Sequence, residues 1–434
     1  MLLKRFQLGL IHVAVAMTLV PINSTLNRVM IYDLGISKTL FTLLAIFPYL
    51  LSPIQVAIGS FSDRNPILGY RRTPYILAGL LLCVAGVAIS PQVALLISRD
   101  FGLGILAGIL AFGAWGMGYN LSAVCYLSLA SELSGEKGRG GTIATMFVMM
   151  VIALIATGIG LSRMVPTFDL VTLERAFLIV AASALILGLL GLLWLERRSS
   201  DSASMPRSET HTVGEMASEI TGNPVARVFF VYLLLLLAAI LGQDVLLEPF
   251  GAEAFGMSLE ATSRLVSIGN LFTLLAFIIA GALEGRAPKK IIAQTGNLGA
   301  LAGFLLILSS GLTRRAEVFY PGIMLLGFGT GISTIANLSL MLDLTVAGKV
   351  GLYIGAWCFS NGLSRLTGLL MAGIVADVAT KISGSALNGY LVVFGLEASM
   401  LLVAALMLHR IDVRAFVKQA RQPTFVEKAA LAAE

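Results

Sequence analysis

The chain has 434 residues, of which 57% are hydrophobic and 12% charged, with a formal net charge of +6. Water-soluble proteins average about 45–50% apolar and about 25% charged residues, so this composition excludes a soluble enzyme, a disordered chain and a disulfide-built secreted domain. What remains is an all-α polytopic membrane protein, because long unbroken apolar runs such as 233–237 do not suit a barrel of short alternating strands.

In chain order, spans are predicted near residues 7–31, 38–60, 73–95, 101–131, 141–165 and 174–195. A polar stretch from Glu196 to about Asn223 follows, and six more spans lie near 226–247, 262–284, 289–311, 318–342, 350–378 and 388–409. The predicted organisation is an N-terminal six-helix bundle over 1–195, a cytoplasmic linker over 196–225, a C-terminal six-helix bundle over 226–410 and a cytoplasmic tail over 411–434. The apolar segment behind Lys4 and Arg5 is longer than a signal-peptide core, so the first span is expected to stay. Lys and Arg gather in the loops that share a side with both termini, among them Arg71, Arg72, Arg197, Arg198, Lys289 and Lys290. This excess puts the termini and linker in the cytoplasm, and an even number of spans also requires the termini to share a side. Cys83, Cys125 and Cys358 all lie inside apolar spans and are far apart, which suits reduced core residues. The basic, amphipathic tail suits either an anionic lipid surface or solvent.

The two halves repeat. Leu129-Ala-Ser-Glu132-Leu is followed by Lys137-Gly-Arg139 and Gly141, and about 210 residues later Leu340-Met-Leu-Asp343-Leu is followed by Lys349 and Gly351. Asn27-Arg28-Val-Met aligns with Gln243-Asp244-Val-Leu. A parallel duplication of six-helix halves resembles the major facilitator superfamily. The loop Gly59-Ser-Phe-Ser-Asp63-Arg64-Asn-Pro-Ile-Leu-Gly69-Tyr-Arg71-Arg72 resembles the signature loop of that superfamily. Asp63, Arg71, Arg72 and Glu132 would form a conformational latch there, or act as plain topogenic charge.

The sharpest motif is Gly242-Gln243-Asp244-Val-Leu-Leu-Glu248-Pro249-Phe250-Gly251. Asp244 and Glu248 are four apart and would share one helix face. Acids at membrane depth are costly and therefore functional by default, the alternative being a solvated helix end. Pro249 is expected to end or kink the helix at Glu248. The repeat alignment suggests an Arg28–Asp244 ion pair closing the outer side. Arg365 and Glu397 fall deep inside spans 11 and 12 and are expected to pair, as a structural lock or as a contact for a ligand. His12 is the histidine lying within a span, His211 being in the linker and His409 at a helix end. It and Asn120, Asn270, Asn337 and Glu397 are candidate ligand-contacting side chains at membrane depth. The glycines of spans 4 and 10 suit close helix packing rather than a nucleotide loop. The residues give no support for catalysis, nucleotide or nucleic-acid binding, or a structural metal.

Ser24-Thr-Leu-Asn27-Arg28-Val-Met-Ile, Gly69-Tyr-Arg-Arg-Thr-Pro74, Gly327-Phe-Gly-Thr-Gly331 and above all Gln243-Asp-Val-Leu-Leu-Glu-Pro249 resemble the bacteriochlorophyll delivery family, the PucC-like and LhaA-like branch of that superfamily, over nearly the whole chain. The resemblance implies a light-harvesting complex assembly factor in a photosynthetic membrane, one that binds or delivers (bacterio)chlorophyll as cargo. It implies antenna polypeptides, pigment-synthesis enzymes or insertion machinery as partners, beside membrane lipids. It also makes Asn27, Gln243, Asp244, Glu248 and Pro249 the family motif, and makes His12, Asn120, Asn270, Asn337 and Glu397 candidates for ligating the magnesium of a chlorophyll. Two other readings stay open. In a proton-coupled transporter of a small solute, Asp33, Asp244 and Glu248 would carry protons and Arg365 would anchor an anionic substrate. The third reading is a pigment-free assembly scaffold.

Overall fold

The computed structural model describes residues 2–51, 54, 58, 61–62, 65–196, 198, 224–283, 286–343 and 350–411. The described residues form thirteen α-helices, with short π and 3-10 turns and no strand. They are α1 (Leu2–Met17), α2 (Lys38–Ala45), α3 (Phe47–Leu50), α4 (Thr73–Arg99), α5 (Phe101–Met164), α6 (Leu170–Leu192), α7 (Pro224–Gly242), α8 (Leu247–Phe255), α9 (Leu259–Leu283), α10 (Lys289–Thr313), α11 (Ala316–Asp343), α12 (Val350–Ser383) and α13 (Ala386–His409). Eleven stretches among them are long and apolar enough to cross a membrane. The region predicted as a further span, 38–60, holds α2 and α3. Crossing after crossing reverses direction, so Leu2 and His409 lie on one side, the terminus side; the opposite side is called the far side.

Helix starts follow local chemistry. Asp100 accepts from Leu103 N at 3.1 Å, and Asp169 accepts from Thr172 N at 2.9 Å and Thr172 Oγ1 at 2.6 Å, so the turns before α5 and α6 each end on a capping acid. These bonds hold the Asp169 carboxyl below its ordinary range. α4 is capped from a distance: the Glu196 carboxylate, just past α6, accepts from Arg71 N at 2.8 Å, Arg72 N at 3.1 Å and Thr73 N at 2.7 Å.

α5 carries two spans in one run of helical hydrogen bonding. The sequence predicts a basic loop between them. Instead, Ser134 Oγ donates to Thr142 Oγ1 at 2.7 Å, although eight residues of straight helix rise about 12 Å. The helix therefore folds back sharply without a loop.

Packing is close wherever glycine removes a side chain. On α10 and α11, a Cβ at Gly329 would stand 2.2 Å from Ala300 N. Next to this seam a buried polar network ties α7, α10 and α11. Tyr232 Oη donates to Asn337 Oδ1 at 2.8 Å, Asn297 Nδ2 donates to Tyr232 Oη at 2.9 Å, and Ser333 Oγ donates to Asn297 Oδ1 at 2.7 Å. Asn337 is thereby committed to this network and is not a free magnesium ligand.

On the terminus side, a tight turn brings Ile67 opposite Tyr70, with Leu68 (φ 55) and Gly69 (φ 82) left-handed. Trp194, past the end of α6, is left-handed too (φ 50). Leu68 is 83% exposed and Trp194 92%.

Candidate functional site between the halves

Three helices lose their regularity in the far half of the molecule. Pro21 has no N–H and opens a π turn, Pro21–Leu26, followed by a second, Val29–Asp33. The break between α2 and α3 falls at Ile46, with Pro48 in the first turn of α3. α7 passes through a 3-10 turn, Gln243–Val245, before α8 begins. A broken helix frees backbone carbonyls, and inside a membrane each must find a partner. Asn27 Nδ2 donates to Val245 O at 2.7 Å and to Asn23 O at 3.2 Å. Asn120 Nδ2 donates to Pro48 O and Gly116 O, both at 2.8 Å. Each asparagine bridges a break to a neighbouring helix, so Asn120 too is committed to backbone.

The charged side chains gather at these breaks. Arg28 pairs with Asp33, reaches Met257 O at 3.4 Å and lies 4.8 Å over the Tyr32 ring. Arg365 donates to Asp244 Oδ2 at 2.9 Å and to Tyr49 Oη at 2.8 Å. Gln243 Nε2 steadies the other Asp244 oxygen at 2.8 Å. Glu248 is buried, and the Ser24 hydroxyl and the Arg28 guanidinium act on it. Neither of its oxygens makes a geometrically sound hydrogen bond. Glu397 is fully buried and likewise unbonded.

Both expected ion pairs are corrected. Arg28 does not meet Asp244, because a π turn places residues five apart on one face and so turns Arg28 onto Asp33. Arg365 does not meet Glu397: it faces the space between the halves, where Asp244 and Tyr49 stand, while Glu397 points into the packed interior. Asp244 and Glu248 do not share a helix face, because the 3-10 turn and the break at Leu246 separate them. Pro249 does not end a helix. It sits in the first turn of α8, where a missing N–H costs nothing.

Three of the four residues proposed as a latch, Arg71, Arg72 and Glu132, stand together. Glu132 Oε1 accepts from Arg72 Nη2 at 3.1 Å and Glu132 Oε2 from Arg71 Nη2 at 3.3 Å, while Arg72 Nη1 donates to Ser62 Oγ at 2.5 Å. Gly59, Asp63, Arg64 and Lys349 lie outside the described residues, as do the side chains of Lys137, Arg139 and Asp343. His12 is buried, with its ring 5.1 Å from Tyr126 and 5.2 Å from Phe147. Its Nδ1 makes no hydrogen bond.

Two residues that carry the site, Tyr49 and Asp377, escape the sequence reading, as does Glu196, which caps α4 at the terminus side. Tyr49 looks like an ordinary span residue, and Glu196 like the start of the linker. Asp377 carries no local signal, yet it accepts from Thr39 N at 2.8 Å, Thr39 Oγ1 at 2.6 Å and Lys38 N at 3.3 Å, capping α2 from α12. Lys38 Nζ also donates to Thr380 Oγ1 at 3.1 Å and lies 4.3 Å from the Tyr390 ring centre. With Thr25 to Ser263 at 3.4 Å and Ser267 to Ile155 O at 3.0 Å, these bonds join the halves from the far ends of the helices down to Tyr49–Arg365. The structure is thus closed on its far side. Asp377→Ala is expected to loosen that closure by about 1 kcal/mol, the usual worth of a capping side chain. Spin-label distances across the far side should lengthen in a measurable fraction of molecules, and an unchanged distance distribution would refute the role.

The arrangement offers paired charges facing a space between two helical halves, sealed at one end. Solved transporters share this fold. The nucleoside transporter NupG superposes with TM-score 0.71 at 14% identity, covering 94% of this chain and 98% of that one. A bacterial homologue of the human lysosomal transporter Spinster, in its inward-facing and unoccupied conformation, gives TM-score 0.72 at 14% identity, covering 97% and 98%. The chain therefore has the major facilitator fold. Protein PucC of Rhodobacter capsulatus is 28% identical over 417 residues, 92% of this chain and 90% of that protein. The bacteriochlorophyll synthase 44.5 kDa chain of the same species is 25% identical over 411 residues, 93% of this chain and 94% of that one. The family described as PUCC protein matches residues 25–416, from the π turns of the first span to past the end of the last helix, and the chain belongs to that family.

Proposed function

We propose that the protein is a light-harvesting complex assembly factor that holds (bacterio)chlorophyll in the photosynthetic membrane and hands it to antenna polypeptides, with both termini in the cytoplasm and no covalent chemistry of its own. The observation that carries this reading is the family match over residues 25–416. The structure is compatible with cargo carried on apolar faces. α9 and α12 present exposed large side chains such as Ile278, Ile279, Ile374 and Val378, which suit pigment or antenna helices as well as lipid.

The test is an absorption spectrum with pigment extraction, on protein purified in mild detergent from a pigment-making host. A red band co-eluting at a fixed pigment-to-protein ratio, shifted from free pigment, is the expected result. A colourless preparation that stays colourless with added pigment would refute pigment handling. It would favour solute transport, the reading to which the Asp244–Arg365 pair facing the inter-half space lends support, or a pigment-free scaffold.

A further inference from the structure

Glu397 lies mid-way along α13, fully buried, with neither carboxyl oxygen hydrogen-bonded. Its Oε1 stands 2.8 Å from the place a Cβ on Gly242 would occupy, and Gly368 O stands 2.9 Å from that same point. The carboxyl is therefore wedged between α7, α12 and α13, in a space that exists because residue 242 has no side chain. Asp244 follows Gly242 by two residues, and Arg365 precedes Gly368 by one helical turn.

The groups around it can be taken element by element. From the end of α7 come Asp244 and Gln243. From α12 come Arg365 and Ser364, whose buried hydroxyl has no partner. α10 carries no titratable side chain between Lys290 and Arg314. α8, nearer the far side, carries Glu248 and Glu253. Arg28 is held by Asp33, and Arg365 by Asp244. Among the described residues, no cation is left for Glu397. An ionised carboxylate without counter-charge or donor, enclosed at membrane depth, is strongly disfavoured. The wedge is too tight for a hydrated ion, and a proton is the cation that fits.

We propose that Glu397 is a proton-binding site whose occupancy decides which carboxylate Arg365 holds. With the proton bound, Arg365 stays on Asp244 and Tyr49 and ties α12 to α7 and α3. When the carboxyl gives its proton to water, the new anion competes with Asp244 for the guanidinium. Arg365 then turns towards α13 and releases Tyr49, the deepest of the bonds that join the halves. One proton is lost or gained per switch, with no other covalent bond changed. The switch is independent of what the protein carries, so its failure and the failure of the pigment reading are separate results.

The test uses the full-length protein in lipid nanodiscs. Infrared difference spectra across a pH titration should contain a protonated-carboxyl band that disappears at alkaline pH. The band should be lost in Glu397→Gln and kept in Glu248→Gln. In parallel, spin labels on Leu68→Cys and Ile291→Cys, both at the terminus side, should report a distance that changes with pH in the parent and stays at its low-pH value at every pH in Glu397→Gln. Asp244→Asn, which leaves Glu397 as the anionic partner nearest Arg365, should lose the band already at neutral pH. A band that survives Glu397→Gln, a distance that still follows pH in that variant, or a switch that follows sodium at fixed pH would overturn the proposal.

Discussion

Gly329→Ala is expected to cost about 2–3 kcal/mol, enough to remove most folded protein from a marginally stable chain. The new Cβ would stand 2.2 Å from Ala300 N and 2.7 Å from the Gly299 carbonyl carbon. Those atoms are backbone, so no rotamer change relieves the clash, and α10 and α11 must move apart. Separation would also stretch the Ser333–Asn297 and Asn297–Tyr232 bonds across the same seam. Gly299→Ala is the matched control. Its Cβ would meet Gly329 Cα at 3.4 Å, an ordinary contact, and alanine gains helix propensity of up to about 1 kcal/mol. Thermal unfolding followed by size-exclusion recovery should therefore separate the two by several degrees, with Gly299→Ala at or above the parent. Equal behaviour of the two variants would mean that this seam is not tight.

Asn27→Leu should have the largest effect on closure. The Asn27 amide satisfies Val245 O, a carbonyl belonging to the 3-10 turn that ends the regular part of α7. Leucine fills the volume but leaves that carbonyl unpaired at membrane depth. An unsatisfied buried polar group costs about 1–3 kcal/mol, and 2 kcal/mol of it shifts the ratio of closed to open molecules by roughly thirtyfold. Far-side spin-label distances should move from mostly short to mostly long. Thr25→Val removes only the 3.4 Å contact with Ser263 and should leave them nearly unchanged. If the two variants behave alike, Asn27 is packing rather than a closing bond.

Span positions and the repeat were legible because both depend on apolar length and composition, which the chain carries openly. The breaks were legible in part: Pro249 marked the right place for the wrong reason, and the π turns behind Pro21 gave no signal in hydropathy. Pairing was not legible, because it depends on which face a residue takes. Spacing of four means one face in an α-helix, yet Asp244 and Glu248 straddle a 3-10 turn. Spacing of five means different faces in an α-helix, yet Arg28 and Asp33 meet across a π turn. Arg365 and Asp244 were both singled out by depth, but their meeting depends on two breaks and a helix crossing. Asp377 and Glu196 were invisible for another reason: each caps a helix distant in sequence, and a cap supplied from elsewhere leaves no local pattern.

The turn at Ile67–Tyr70 and the end of α6 each hold a bulky apolar residue in a backbone shape that glycine or asparagine adopts more easily. Leu68 and Trp194 both stand out on the terminus side, where Arg198 lies over the Tyr70 ring. Indole rings settle at the boundary between headgroups and acyl chains; Trp115 is fully buried, and the side chain of Trp357 lies outside the described residues. In a Trp357→Phe background Trp194 is thus a depth gauge: quenchers placed at graded levels in the bilayer would read from it where the water line runs across the molecule.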